Sequence, residues 1–181
     1  PYVIDSYKKP VETLKTNVLG TMNVLNLKKF KFVKLITVIT SDKCYENSSK
    51  KDGFTEHDRL GGNDIYSSSK ACCELILNAY RKSFCEGRNI ISVRAGNVIG
   101  GGDFGDYRIM TDFFKCLQTK KKLFLRNPSY VRPWQHIFDV LNGYFMVTEK
   151  CFKDPLKYSC SWNFGPEKNG HIMVSELVDL F

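Results

Sequence analysis

No apolar run in this 181-residue chain approaches the roughly 20 residues that a membrane-spanning helix needs. The amino end, Pro1 to Lys9, is short and polar and lacks the apolar stretch of a signal peptide, so the chain reads as cytoplasmic with no membrane partner. Internal repeats and low-complexity tracts are also missing. There is no C-x-x-C pair, and His57, His136 and His171 are dispersed, so no metal site is expected. Seven cysteines, an odd number set in apolar runs as at Cys72, Cys73, Cys85 and Cys116, suit reduced core thiols better than a disulfide framework.

Charge is not scarce, but its distribution argues against nucleic acid. The net charge is +8, and 20 of the 27 basic residues are Lys, placed in short runs such as Lys28-Lys29 and Lys120 to Lys122 without interleaved aromatics. Solvated surface lysine accounts for that pattern, and no nucleic-acid partner is expected. The positive field still favours approach of a nucleotide diphosphate.

The hydrophobic pattern alternates between two periods. It predicts a helix over Val11 to Lys29, a strand over Phe32 to Ile39, a helix over Asp64 to Phe84, a strand over Asn89 to Ala95 and a helix ending near Leu117. A final helix runs from Met173 to Phe181, and Pro1 to Tyr7 reads as a loop. Within Asp64 to Phe84, the rows Ala71, Leu75, Ala79 and Cys72, Ile76, Tyr80 form the expected apolar stripe. This βαβ alternation implies an α/β fold with a parallel sheet and helical crossovers. The long polar loop from Glu46 to Asp58 is read either as a functional lid or as a solvated excursion.

Chemistry gathers at two places. Tyr66 and Lys70, four residues apart on a helix, share one face, so the ammonium can lower the phenol pKa and make the tyrosinate a usable base. Taken alone, the same pair also suits an ordinary exposed helical turn. Thr40, Ser41, Asp42 and Lys43 follow an apolar strand and emerge at its carboxyl end, where open α/β sheets place their sites. There Ser41 can hydrogen-bond a substrate hydroxyl beside Tyr66.

This Ser, Tyr, Lys arrangement resembles that of the short-chain dehydrogenase/reductases. Thr40 to Tyr45, Tyr66 to Lys70, Arg94 to Asp103, Arg126 to Pro128, Arg132 to His136 and Trp162 to Pro166 occur in the order and spacing of the CDP-glucose 4,6-dehydratases of the extended branch. Most sugar-nucleotide 4,6-dehydratases used for comparison read Thr-Asp-Glu where this chain has Ser41-Asp42-Lys43, and Lys in the third place is similar to the CDP-glucose enzymes. The resemblance implies a partial Rossmann-like, doubly wound parallel sheet with part of a small substrate-binding lobe. Residues 1–125 are expected to form the carboxyl-terminal half of an NAD-binding catalytic domain, and residues 126–181 part of an interleaved substrate lobe.

The same resemblance assigns roles. Tyr66, supported by Lys70, takes the proton of the sugar 4-hydroxyl as hydride passes to NAD; Asp42 protonates the departing 6-hydroxyl, and Lys43 removes the C5 proton, which demands a lowered Lys pKa. Hydride then returns to C6, giving CDP-4-keto-6-deoxyglucose from CDP-glucose. Asn17 is expected to steady the catalytic lysine beside the cofactor, with a plain helix-surface Asn as the alternative. Asn97, Asn127, Arg132 and His136 are expected to hold the nucleotide sugar, Arg132 as a bidentate partner of diphosphate. Turn chemistry for the two Asn residues and helix capping for His136 are the competing readings, and Trp134 reads as core rather than a base-stacking platform.

Members of this family open with a glycine-rich turn that receives the NAD pyrophosphate. No such turn precedes the first helix, so the chain is expected to be a fragment, inactive alone, of a protein that is a homo-oligomer when full length. The run Gly100-Gly-Gly102-Asp-Phe-Gly105 formally fits G-x-G-x-x-G, but Lys120 to Arg126 stands where an acidic strand end should follow, so a loop bordering the sugar nucleotide is preferred. Sister epimerases and reductases share Tyr66 and Lys70, and a non-catalytic remnant is the remaining alternative.

Overall fold

The computed structural model describes residues 3–46, 50, 53–84 and 89–181, with the side chain of Lys28 excepted. Cys85 and part of the loop at 46–58 lie outside the described residues. Two compact units emerge, one of Pro1–Ala95 with Asn142–Phe164 and one of Gly96–Leu141 with Gly165–Phe181. The expected lobe boundary at 125/126 falls inside the second unit.

In the first unit, Val3–Lys8 is a helix (α1), where a loop was expected. The turn needed to end it comes at Lys9 and Pro10, because proline starts a helix readily but cannot continue one. From Pro10 the chain stays helical through Pro10–Leu14 (α2), a π turn Lys15–Leu19, Gly20–Leu25 (α3) and a 3₁₀ turn Asn26–Lys29. Periodicity found this helix but gave no sign of the π turn, which interrupts the regular backbone ladder around Asn17.

Strand β1 is Leu35–Ile39, three residues shorter at its start than expected. Phe32 is exposed and stacks on Phe30 in a turn closed by Val33 N–H to the Phe30 carbonyl. Helix α4, Ile65–Phe84, follows the loop that leaves β1, and β2, Asn89–Ala95, follows α4. The sheet runs β1, β2, then a later strand β5 (Ser161–Phe164), parallel throughout. Central β2 is buried on both faces, as parallel strands are. On one face Ile36, Ile90, Leu25 and Leu77 pack together; on the other Ile91 and Val93 meet Val147 and Cys151 of helix α6, Ile137–Lys153. Helices therefore cover both faces of the sheet, the doubly wound arrangement that the family resemblance implied.

The stripe on α4 differs from the apolar rows read in the sequence. Tyr66, Ser69, Cys73 and Leu77 are buried together with Ala71 and Glu74, whereas Leu75 is 57% exposed. Hydrophobicity alone misplaces the stripe because two of its members, Ser69 and Glu74, are polar and satisfied internally.

The second unit contains a small sheet of β3 (Asn97–Ile99), β4 (Val131–His136) and β6 (His171–Met173), with β3 parallel and β6 antiparallel to β4. Helices α5 (Ile109–Thr119) and α8 (Val174–Asp179) belong to it. The ring of Phe113 on α5 meets that of Phe181 just after α8. Among the described residues, no helix is long and apolar enough to cross a membrane.

Candidate active site

Helix α4 begins where the sequence provides a cap. Asp64 accepts hydrogen bonds from Ser67 N–H (2.9 Å) and Ser67 Oγ (2.6 Å), satisfying a helix-end donor in the turn that carries Tyr66. Gly62 lies against that turn so closely that a Cβ there would sit 2.6 Å from Ser67 C and Ser68 N. On the other side, Ser41 caps the short turn Asp42–Cys44 by accepting from Lys43 N–H at 3.3 Å, while its hydroxyl donates to Asp42 Oδ1 at 3.0 Å. Ser41 thus offers a substrate hydroxyl an acceptor lone pair, its own proton being turned toward Asp42.

These two elements converge on one aromatic ring. Lys43 Nζ and Lys70 Nζ each lie 5.9 Å from the centroid of Tyr66, whose side chain is buried. Lys70 donates to the carbonyl of Ile39 at 3.2 Å, so the strand end fixes the lysine as well as the serine turn. Burial lowers the Lys70 pKa from its ordinary value, opposed by the nearby Cys73 and Glu74. Asn17 Nδ2 donates to Ser69 Oγ at 2.8 Å, and Ser69 in turn donates to the carbonyl of Tyr66 at 2.7 Å. The π turn brings the Asn17 carbonyl to the Cys73 thiol, at 3.2 Å. Asn17 therefore braces the backbone of the Tyr66 turn.

Asn97, Asn127, Arg132 and His136 all fall in the second unit. Asn97 opens β3 opposite Trp134, and Arg132, Trp134 and His136 alternate along β4 so that all three project to one side of the strand. The Arg132 guanidinium lies 5.1 Å from the Tyr130 ring, and the Asn127 carbonyl closes a turn by accepting from Tyr130 N–H at 3.2 Å. His136 Nδ1 accepts from Phe138 N–H at 3.3 Å, which is the helix-capping arrangement at the start of α6. Trp134 is half-buried and donates to the Ile172 carbonyl at 3.2 Å. The glycines at 100–102 follow the three-residue β3 and stand six residues ahead of α5, so they do not join a strand directly to a helix N-terminus.

The model of the NAD dependent epimerase/dehydratase family matches residues 1–160. The chain belongs to that family. It is 41% identical over 187 aligned residues to the CDP-glucose 4,6-dehydratase of Salmonella typhimurium, covering 99% of this chain and 52% of that protein. The dTDP-glucose 4,6-dehydratase of Bacillus anthracis, solved in complex with NAD, superposes with a TM-score of 0.74 at 27% identity over 92% of this chain and 50% of its own. A double mutant of DesIV from Streptomyces venezuelae, a dTDP-glucose 4,6-dehydratase solved with NAD, gives a TM-score of 0.81 at 20% identity, covering 99% and 53%, and bears on the fold alone. The chain spans about half the length of these relatives.

NAD, the cofactor expected from the sequence, is the family's cofactor, and the donor set around Tyr66 fits it. The Lys70 ammonium has three donors, of which one goes to Ile39, leaving two suited to ribose hydroxyls. Sequence reasoning missed a group of residues directly behind the site. Glu74, Arg94, Thr40, Tyr45 and the half-buried Asn163 form a polar chain, and only the placement of a Glu on the helix carrying Tyr66, with an Arg near the end of an apolar strand, hinted at it. Among its termini is the described part of the polar loop: Phe54 stacks on Tyr45 at 4.8 Å, and Asn163 donates to the Phe54 carbonyl. That part of the loop is tied to the strand ends.

Proposed function

We propose that the full-length protein is an NAD-dependent CDP-glucose 4,6-dehydratase that converts CDP-glucose to CDP-4-keto-6-deoxyglucose. The observation that carries this reading is the convergence of Lys43 and Lys70 on the Tyr66 ring, each at 5.9 Å, with Asp42 beside Lys43. An epimerase has no need for an acid and a base at C5 and C6, whereas loss of water requires both beside Tyr66 and Lys70. The identity to the Salmonella enzyme and the Ser41-Asp42-Lys43 sequence support CDP-glucose as the substrate.

NAD, when bound, supplies the hydride acceptor and later the hydride donor. Tyr66, favoured as the phenolate by the neighbouring Lys70 ammonium, takes the proton from the 4-hydroxyl and becomes the neutral phenol. The keto group at C4 acidifies the proton at C5. Lys43 in its neutral form removes that proton, and Asp42 in its acid form gives one to the 6-hydroxyl, so that C6–O breaks and water departs. Ser41 accepts a hydrogen bond from the sugar next to Tyr66. Arg132, Asn97, Asn127 and His136 are assigned to the nucleotide sugar in the same proposal, and homo-oligomerisation of the full-length protein belongs to it as well.

The test separates the two halves of the chemistry in the full-length protein. Tyr66→Phe should show neither NADH formation nor product on mixing with CDP-glucose. Asp42→Asn should keep C4 oxidation and slow water loss by about 10²-fold, so NADH absorbance accumulates. If Asp42→Asn turns over like the parent, or if dTDP-glucose is used as well as CDP-glucose, the corresponding assignment is wrong.

A further inference from the structure

Behind the site lies an ion pair that the chemistry above does not use. Glu74 is 1% exposed and Arg94 4%, and Arg94 Nη2 donates to Glu74 Oε2 at 2.7 Å. The same carboxylate oxygen accepts from Ser92 Oγ (2.8 Å) and Ser161 Oγ (3.0 Å), while Oε1 accepts from Thr40 Oγ1. Through these contacts one side chain of α4 reaches the residue after β1, the middle of β2 and the start of β5. Arg94 Nη1 continues the chain to Tyr45 Oη at 2.6 Å, and Tyr45 donates to Asn163 Oδ1 at 2.6 Å.

A buried ion pair is weak evidence for stability, because taking two charges out of water costs about as much as their attraction returns. Apolar side chains of similar size would also hold α4 to the sheet, but hydrogen bonds to one carboxylate fix by direction which groups meet it. The residues they join are informative: Glu74 is one helical turn beyond Lys70 and two beyond Tyr66, and Thr40 immediately precedes Ser41, Asp42 and Lys43. Thr40 N–H is itself anchored to the Val93 carbonyl at 2.9 Å.

We propose that Glu74 is a positioning residue whose carboxylate, acting through Thr40 and Arg94, keeps the turn of Ser41, Asp42 and Lys43 in register with the face of α4 that carries Tyr66 and Lys70. Its importance for turnover rests on the dehydratase reading, since only that chemistry requires both sets of groups to meet one sugar; the registry itself does not. A displacement of about 1 Å between two such sets is enough to cost on the order of a hundredfold in rate.

Thr40→Val in the full-length protein removes one hydroxyl while keeping the shape, and Thr40→Ser restores the hydroxyl. Two measurements are made: hydrogen–deuterium exchange over residues 41–45 and 66–77 without substrate, and kcat and KM for CDP-glucose. In Thr40→Val, exchange at Lys43 and Cys44 should rise about tenfold while α4 stays unchanged. Its kcat per folded molecule should fall about ten- to a hundredfold with KM nearly constant, and Thr40→Ser should recover both. Glu74→Gln should reproduce the turn's faster exchange wherever it folds. Uniformly faster exchange along α4, or an unchanged turn with parental kcat, would overturn the proposal. A parent that does not process CDP-glucose, with the local exchange effect still present in Thr40→Val, refutes the dehydratase reading and supports the registry.

Discussion

Gly62 is the position at which a single methyl group most directly perturbs the site. A Cβ built there lies 2.6 Å from Ser67 C, 2.6 Å from Ser68 N and 2.8 Å from Ser67 Cβ, against an ordinary contact of 3.4 Å or more. Two of those atoms are backbone of the first turn of α4, so no side-chain rotation relieves the clash, and the loop and helix must part by roughly 1 Å. Overpacking of this kind costs about 1–3 kcal/mol. For a protein of this size that is a fall in Tm on the order of 5 °C. The displaced turn also carries Tyr66, so kcat should fall about tenfold or more in the full-length protein. Calorimetry and steady-state kinetics on Gly62→Ala measure both. Gly20→Ala serves as the control: its Cβ meets nothing within 4 Å and its φ of −58° is helical, so stability should rise by about 0.5–1 kcal/mol with kcat unchanged. If Gly62→Ala melts and turns over like the parent, close approach at this glycine does not position the helix.

Three further outcomes are expected. Burial raises the Glu74 pKa, but hydrogen bonding and charge from Arg94, with Thr40 and Ser92, outweigh it and hold the net value below 4.5, so the carboxylate stabilises the fold fully above pH 4.5 and loses that contribution as pH falls through the folded-state pKa. Urea midpoints of the parent should therefore drop more steeply below pH 4.5 than those of Glu74→Gln, and parallel curves would exclude Glu74 as the source. Leu77→Ala, at a side chain with no exposed surface between α4 and the sheet, should destabilise by about 2–5 kcal/mol in equilibrium unfolding. Burial pushes the Cys44 thiol up to about 12, so Cys44 should resist a thiol reagent near pH 8 in the native protein and react only after unfolding; labelling of native Cys44 would contradict its buried placement.

Much of the frame, and the shared face of Tyr66 and Lys70, was legible in the sequence because both depend on local features. Alternating periods placed a strand at 32–39, of which 35–39 is extended, a strand at 89–95 and the helix carrying Tyr66, and the i, i+4 spacing put Lys70 on the same face as Tyr66. The helix was read as starting at Asp64, which in the fold caps it by accepting from Ser67 N–H. The helix at Val3–Lys8 was not legible, since its apolar residues are too few for a period, and neither was the π turn at Lys15–Leu19, whose sequence is that of any α-helix.

The buried stripe of α4 was decided by tertiary structure alone. From composition, Leu75 belongs inside and Glu74 outside; in the fold Leu75 is 57% exposed and Glu74 1%. The reason is that Arg94, Ser92, Ser161 and Thr40, which come from three different strands, meet at one point and satisfy a carboxylate there. A residue's own polarity determines how much its burial costs, but partners separated by 18 to 87 positions in the chain determine whether that cost is offset. The proximity of Lys70 to Tyr66 was therefore written in the chain itself, whereas the approach of Lys43 to the same ring, and the network behind it, exist only once β1, β2 and β5 have paired.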